Sequence, residues 1–175
     1  MMSDDLSFLS GVLHRQAASD RSMPSLAEIG LNYFVPYLLN RIAASWNGDM
    51  ANELRNLGLT TPQMRVLAVL SINSGLTINE LSVLTVTEQS TMSRTLDMLE
   101  ERELVRRRPR LKDMRVREVE ITEEGRKVFE NVWPVMFSRY EAMFKDIGEE
   151  EFSRFVATLH KVLRNIRLGN QEGSQ

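Results

Sequence analysis

The chain has 175 residues, 42% of them hydrophobic and 26% charged, and a formal net charge of −2, the proportions of one ordinary folded domain. It has no cysteine, which excludes disulfides, thiolate metal sites and thiol-based redox sensing. With no apolar run of about 18 residues and an acidic opening stretch, the expectation is a cytoplasmic protein with no membrane partner, and the net acidity excludes indiscriminate coating of nucleic acid.

In residues 1–24 a weak apolar spacing at Leu6, Leu9 and Leu13 is broken by Gly11, several serines and Pro24, so an N-terminal arm is expected. From Ser25 onward Leu31, Val35, Leu38, Ile42, Trp46, Met50, Leu54 and Leu57 recur at three- and four-residue steps, which predicts one long helix over about 25–57. At about 1.5 Å per residue, some 30 residues would span roughly 45 Å. Pro36 is expected to kink this helix near Tyr33, with Gly48 a second soft point. Thr61-Pro62 then reads as an N-cap with proline at the first helical position, and Val66, Leu67, Leu70 and Ile72 mark a helix ending near Asn73-Ser-Gly75.

Thr77-Ile-Asn-Glu80 is a capping box and starts a short helix with Leu81 and Leu84 on its apolar side. Thr85-Val86-Thr87 interrupts it with β-branched residues and offers Thr87 as a second N-cap. The next helix places Met92, Leu96 and Leu99 on one side, leaving Gln89, Ser90, Ser93, Arg94 and Asp97 for solvent or a partner. Leu104-Val-Arg-Arg-Arg-Pro109 and Arg115-Val-Arg-Glu-Val-Glu-Ile121 follow as two strands joined by Arg110-Leu-Lys-Asp-Met114. Helix, turn, helix and hairpin predict a winged helix over about 60–122. Between Arg102 and Arg117 stand eight basic and two acidic residues, a local net of +6 in a chain of net −2. Such a patch beside a polar helix face is an electrostatic footprint for phosphate.

Thr122, with Glu123 and Glu124 in the first turn, caps a further helix through Val128, Val132, Met136, Tyr140 and Phe144, bent at Pro134. Asp146-Ile-Gly148 turns into a last helix bearing Phe152, Val156, Leu159, Leu163 and Ile166, and residues 169–175 form a polar tail. Every Trp, Tyr and Phe lies before Asn47 or after Val128. The helices of about 25–57 and 122–168 are therefore expected to pack on one another and on a second copy, since they carry more apolar stripe than a small winged helix can cover. The fold class is thus mainly α: a winged helix-turn-helix with a two-stranded wing, flanked by long helices that form a dimerisation module, all within one domain over 25–168.

At these residues the sequence resembles the MarR family of bacterial transcription regulators. The resemblance covers about residues 28–168 and is carried by Leu59-Thr-Thr-Pro-Gln-Met-Arg-Val-Leu67, Glu80-Leu-Ser-Val-Leu84, Ser90-Thr-Met-Ser-Arg94, Leu99-Glu-Glu-Arg102 and the wing residues Asp113-Met-Arg115 and Ile121-Thr-Glu-Glu-Gly125. Met114 departs from it, standing where many members carry a further Arg. The resemblance implies a homodimeric, ligand-responsive winged-helix repressor or activator. In that reading Gln89, Ser90, Thr91, Ser93 and Arg94 enter the major groove of double-stranded DNA at a pseudo-palindromic site. Arg94 is the candidate for a bidentate guanine contact or a phosphate clamp, and Gln89 for an adenine edge. On the wing, Arg115 matches the Arg of the family's Asp-x-Arg, Asp113 orients it, and Arg110 and Lys112 supply phosphate charge near the minor groove. A small aromatic effector would sit where the first helix, the Thr61–Asn73 helix and the Thr122 helix converge. Trp46, Met64, Phe129 and Trp133 are its candidates, and plain core packing is the simpler reading of each.

His14 and His160 have no ligands at metal spacing, and no nucleophile, phosphate-loop or paired-carboxylate arrangement occurs. Neither enzyme activity nor a cofactor is expected. The alternative function is a winged helix used for protein contact, against which stands the polar Gln89–Arg94 face where a docking surface carries apolar anchors.

Overall fold

A computed structural model of the chain describes residues 25–110 and 113–172. The expected arm and residues 173–175 lie outside them. The described residues form six helices, one further helical turn, a short 3-10 helix and a small antiparallel sheet, in two compact units that divide between Met64 and Arg65.

In the first unit a helical turn (Leu26–Ile29) and a 3-10 helix (Leu31–Tyr33) precede α1 (Val35–Asn56). The single long helix predicted from the apolar spacing is not formed. Gly30 takes φ +77°, a left-handed conformation that ends the opening turn, and the 22 residues of α1 begin only at Val35. Pro36 accordingly lies in the first turn of α1, where its missing N–H has no intrahelical role, and does not kink a helix interior. Met50 and Leu54 are buried, while Leu31, Phe34, Val35, Leu39 and Ile42 at the other end of the stripe are exposed.

The next helix, α2 (Thr61–Ile72), is capped by Thr60, not Thr61. The Thr60 N–H donates to Gln63 Oε1 at 2.9 Å and the Gln63 N–H to Thr60 Oγ1 at 3.4 Å. Only Thr60 has a residue three positions on that can answer it reciprocally. Past Arg65, α2 contributes Val66, Leu67 and Leu70 to the core of the second unit.

That unit continues with β1 (Leu76–Thr77), α3 (Ile78–Thr85), α4 (Gln89–Glu101), β2 (Val105–Arg110), β3 (Asp113–Ile121), α5 (Glu123–Met143) and α6 (Glu149–Glu172). The Thr77 capping box is present: the Glu80 N–H donates to Thr77 Oγ1 at 3.2 Å, and the Thr77 N–H to Glu80 Oε2 at 2.7 Å. On α3 Leu81 is buried, but Leu84 is half exposed. Ser82 and Thr85 turn inward in its place, made tolerable by hydroxyls that donate to Ile78 O at 2.9 Å and Leu81 O at 2.7 Å.

The sheet has three strands in the order β1-β3-β2, one more than the expected wing. Leu76 pairs with Val119 and Thr77 with Glu118, so a two-residue strand too short to show a period closes the inner edge. Strands β2 and β3 extend further towards the tip than predicted, to Arg110 and from Asp113, with a register shift at Pro109/Arg110. Pro109 is accommodated because β2 is an edge strand.

Thr122 caps α5 as expected, its Oγ1 accepting from the Gly125 N–H at 3.0 Å. Its N–H donates to Leu104 O at 3.1 Å and its hydroxyl to Glu103 O at 2.6 Å, which ties the entry of the wing to its exit. A Cβ on Gly125 would stand 2.0 Å from Leu104 O and 2.9 Å from Ile121 Cγ1. Helix α5 is continuous through Pro134, and the turn to α6 puts Asp146, not Gly148, in the left-handed region at φ +66°. Tyr140 of α5 and Phe144 at its C-cap meet Phe152 of α6 with centroids 6.3 and 4.9 Å apart. Helix α6 runs to Glu172 and takes in the first residues of the expected polar tail.

Gly125→Ala should lower the unfolding free energy by about 2 kcal/mol or more, since a backbone carbonyl blocks the new methyl, and urea denaturation measures it. Thr77→Ala should cost about 1 kcal/mol through loss of the cap. The Thr77 backbone and hydroxyl bonds, and then the Arg110 charge, hold the Glu80 carboxyl below its ordinary value of 4.5. Its contribution is complete above 4.5 and fades as the pH falls below it, so Glu80→Gln should flatten the acid limb of a melting-temperature profile.

Candidate nucleic-acid interface

The roll of α4 is fixed from inside. Met92, Leu96 and Leu99 have no exposed surface and Thr95 is buried with them, its hydroxyl donating to Thr91 O at 2.8 Å. Gln89, Ser90, Thr91, Ser93, Arg94 and Asp97 are consequently all exposed. The expected Thr87 N-cap is not used: the N-cap is Glu88, without a side-chain bond, and the Thr87 hydroxyl donates to Thr85 O at 3.2 Å. The reason lies one residue earlier, where Val86 takes φ 52° and ψ 53° to close α3 and turn the chain into α4. Gln89 Nε2 donates to Asn79 Oδ1 of α3 at 2.6 Å, a partner that the sequence does not signal, ten residues away on another helix. Arg94 makes no ion pair among the described residues.

On β2, alternation splits the arginines between two faces. Arg106 and Arg108 point away from α4 and meet Glu120 at 2.8 and 3.6 Å, and Arg110 pairs with Glu118. Arg107 points the other way and binds Asp97 and Glu100 of α4, each at 2.7 Å. Four arginines of the basic run are therefore answered by glutamates and an aspartate of the same unit, and two of those acids, Glu118 and Glu120, lie just past Arg117. Arg115 and Arg117 are exposed, and Arg117 shares the β3 face of Val119, the side on which α4 lies. Met114 is exposed near the tip. Lys112 lies outside the described residues, and of Asp113 only the backbone, the first residue of β3, is described.

Of the effector candidates, Phe129 and Trp133 are neighbours on α5 with centroids 5.9 Å apart, and Trp133 is 48% exposed. Trp46 is half-buried on α1, and Met64 is buried in α2. His160 is exposed on α6, and among the described residues no group of His, Asp and Glu could hold a metal. No described helix is long and apolar enough to cross a membrane.

The Arg107 pairs link the wing to α4 through side chains. Arg107→Ala should lower stability by about 1–2 kcal/mol, because Glu100 and Asp97 lose a half-buried partner, and the loss should shrink in high salt.

The sequence and the fold have counterparts among known proteins. The sequence model of the MarR family matches residues 57–115. The S. aureus MepR–DNA complex shares the fold, with a TM-score of 0.69 at 23% identity over 77% of this chain and 98% of that one. The HTH-type transcriptional repressor IacR of Pseudomonas putida is 29% identical over 156 residues, 89% of each chain. A crystal structure of a MarR-family transcriptional regulator from Silicibacter pomeroyi matches with a TM-score of 0.78 at 44% identity, over 82% of this chain and 97% of that one. At that identity and coverage the chain belongs to the MarR family of DNA-binding transcriptional regulators.

Proposed function

We propose that the protein is a cytoplasmic repressor that grips a pseudo-palindromic duplex as a two-fold homodimer, with α4 of each copy in a major groove and the wing over the neighbouring minor groove. The observation that carries this reading is the outward face of α4, polar from Gln89 to Asp97 and held in one orientation by a fully buried stripe. No aromatic or aliphatic anchor stands among those positions, so protein docking has no counterpart there. The repressor sense is supported by the name of the Pseudomonas putida relative. For the dimer the support is exposed apolar surface on the long helices, Phe34, Val35 and Ile42 on one side of the sequence and Phe137, Leu163 and Ile166 on the other. Trp133, half exposed and flanked by Phe129 and Phe137, is the position best suited to stack a small aromatic effector.

Selection of duplexes from random DNA should return a two-fold site with half-sites about 10 base pairs apart, bound with steep salt dependence. Weak binding equal for selected and scrambled duplexes would return the protein-contact alternative, and a monomer in sedimentation at micromolar concentration would reject the dimer. Arg115→Ala should weaken binding to all duplexes alike and lower the salt slope by about 0.9. Arg94→Ala should instead cost about 1–3 kcal/mol on the preferred site and far less on a site changed at the pair it reads. If Arg94→Ala weakens every sequence equally, Arg94 is a phosphate clamp.

A further inference from the structure

Two features mark the surface of the turn between α3 and α4. The first is the bond from Gln89 Nε2 to Asn79 Oδ1, 2.6 Å long and wholly on the surface. An exposed glutamine ordinarily samples many rotamers, and ordering it on a ligand sets entropy against binding. Here the carboxamide is already held. One Nε2 hydrogen goes to Asn79, which leaves the second hydrogen and Oε1 for another partner, the donor and acceptor types that adenine N7 and N6 call for in the major groove.

The second feature is Val86. A β-branched residue at φ 52° sits in a region that glycine or asparagine ordinarily fills, and its side chain is 85% exposed. It adds nothing to the core, so the strained position brings the fold no packing in return, and strain of this kind collects where a ligand is met. Val86 and Val83 form the apolar lip of an open groove of about 600 Å³ whose other walls include Asn79 and Gln89.

We propose that this groove is an A·T reader: Asn79 positions the Gln89 carboxamide for bidentate contact with an adenine, and the Val86 methyls pack on the 5-methyl of a thymine beside it. The reading rests on α4 being the major-groove helix. Glu88, at the same end of α4, lines the groove with a carboxylate that repels phosphate.

The test measures binding of the full chain, by fluorescence anisotropy, to its selected duplex and to analogues altered one position at a time. Replacing thymine by uracil removes a single methyl, and replacing adenine by 7-deazaadenine removes N7 alone. The wild type should lose about fourfold at one thymine, the value of one methyl group, and about tenfold at a neighbouring adenine. Val86→Ala should abolish the thymine–uracil difference, with a melting temperature no lower than the wild type's. Asn79→Ala should reduce the adenine–deazaadenine difference to under about twofold, and Asn79→Asp, which keeps an acceptor for Gln89 Nε2, should restore it. Silence of every thymine-to-uracil change, or full discrimination in Val86→Ala or Asn79→Ala, would overturn the proposal while leaving sequence-specific binding intact. A wild type with no preference among duplexes would overturn it together with the reading of α4.

Discussion

Leu104 leaves α4 through Glu103, a left-handed residue at φ 59°, and its carbonyl comes to rest against the Cα of Gly125 in the first turn of α5. Nothing larger than hydrogen fits there. The Thr122 hydroxyl and N–H hold the same two residues from the other side, so one residue caps a helix and clasps both ends of the hairpin. The wing, the recognition helix and the first of the long carboxy-terminal helices are thereby joined at a single point. Displacement of α5 must act on the wing at this point, because the close approach leaves no slack for the chain to absorb it.

The electrostatics of the wing are more balanced than a count of its charges suggests. Arginine dominates β2, but β3 returns Glu118 and Glu120, and the antiparallel register sets them across the strands from Arg106 and Arg108. Such exposed pairs add little to stability, and their effect is instead to limit the positive field to residues beyond their reach. Arg107 differs, because alternation turns it to the other face and into the two acids of α4. It acts as a spacer between wing and helix.

Two kinds of packing divide the second unit. The winged helix is closed by buried aliphatic side chains and Met92 from α2, α3, α4 and the sheet. From Phe129 onward the α5–α6 pair is instead laced by a run of aromatic rings with neighbouring centroids 4.9–6.3 Å apart, several of them partly exposed. Rings of that size bring large area at low rotamer cost, which suits a surface that another body covers.

The sequence by itself determined those elements whose cause is local. The Thr77 and Thr122 caps, the buried stripe Met92, Leu96 and Leu99, the outward residues of α4 and the hairpin all follow from spacing and hydrogen-bonding chemistry within a few residues. Apolar period carried the first helix too far, because it is blind to the backbone conformation that Gly30 adopts. Among competing caps, Thr60 against Thr61 and Glu88 against Thr87, the choice fell to reciprocal partners and to the left-handed Val86, which spacing does not encode. What only the tertiary structure decided are the pairings between distant residues: Asn79 with Gln89, Arg107 with Asp97 and Glu100, Leu76 with Val119, and Leu104 against Gly125. Each joins groups whose separation along the chain carries no period, so their meeting depends on how helices and strands are set against one another by the packing of the core.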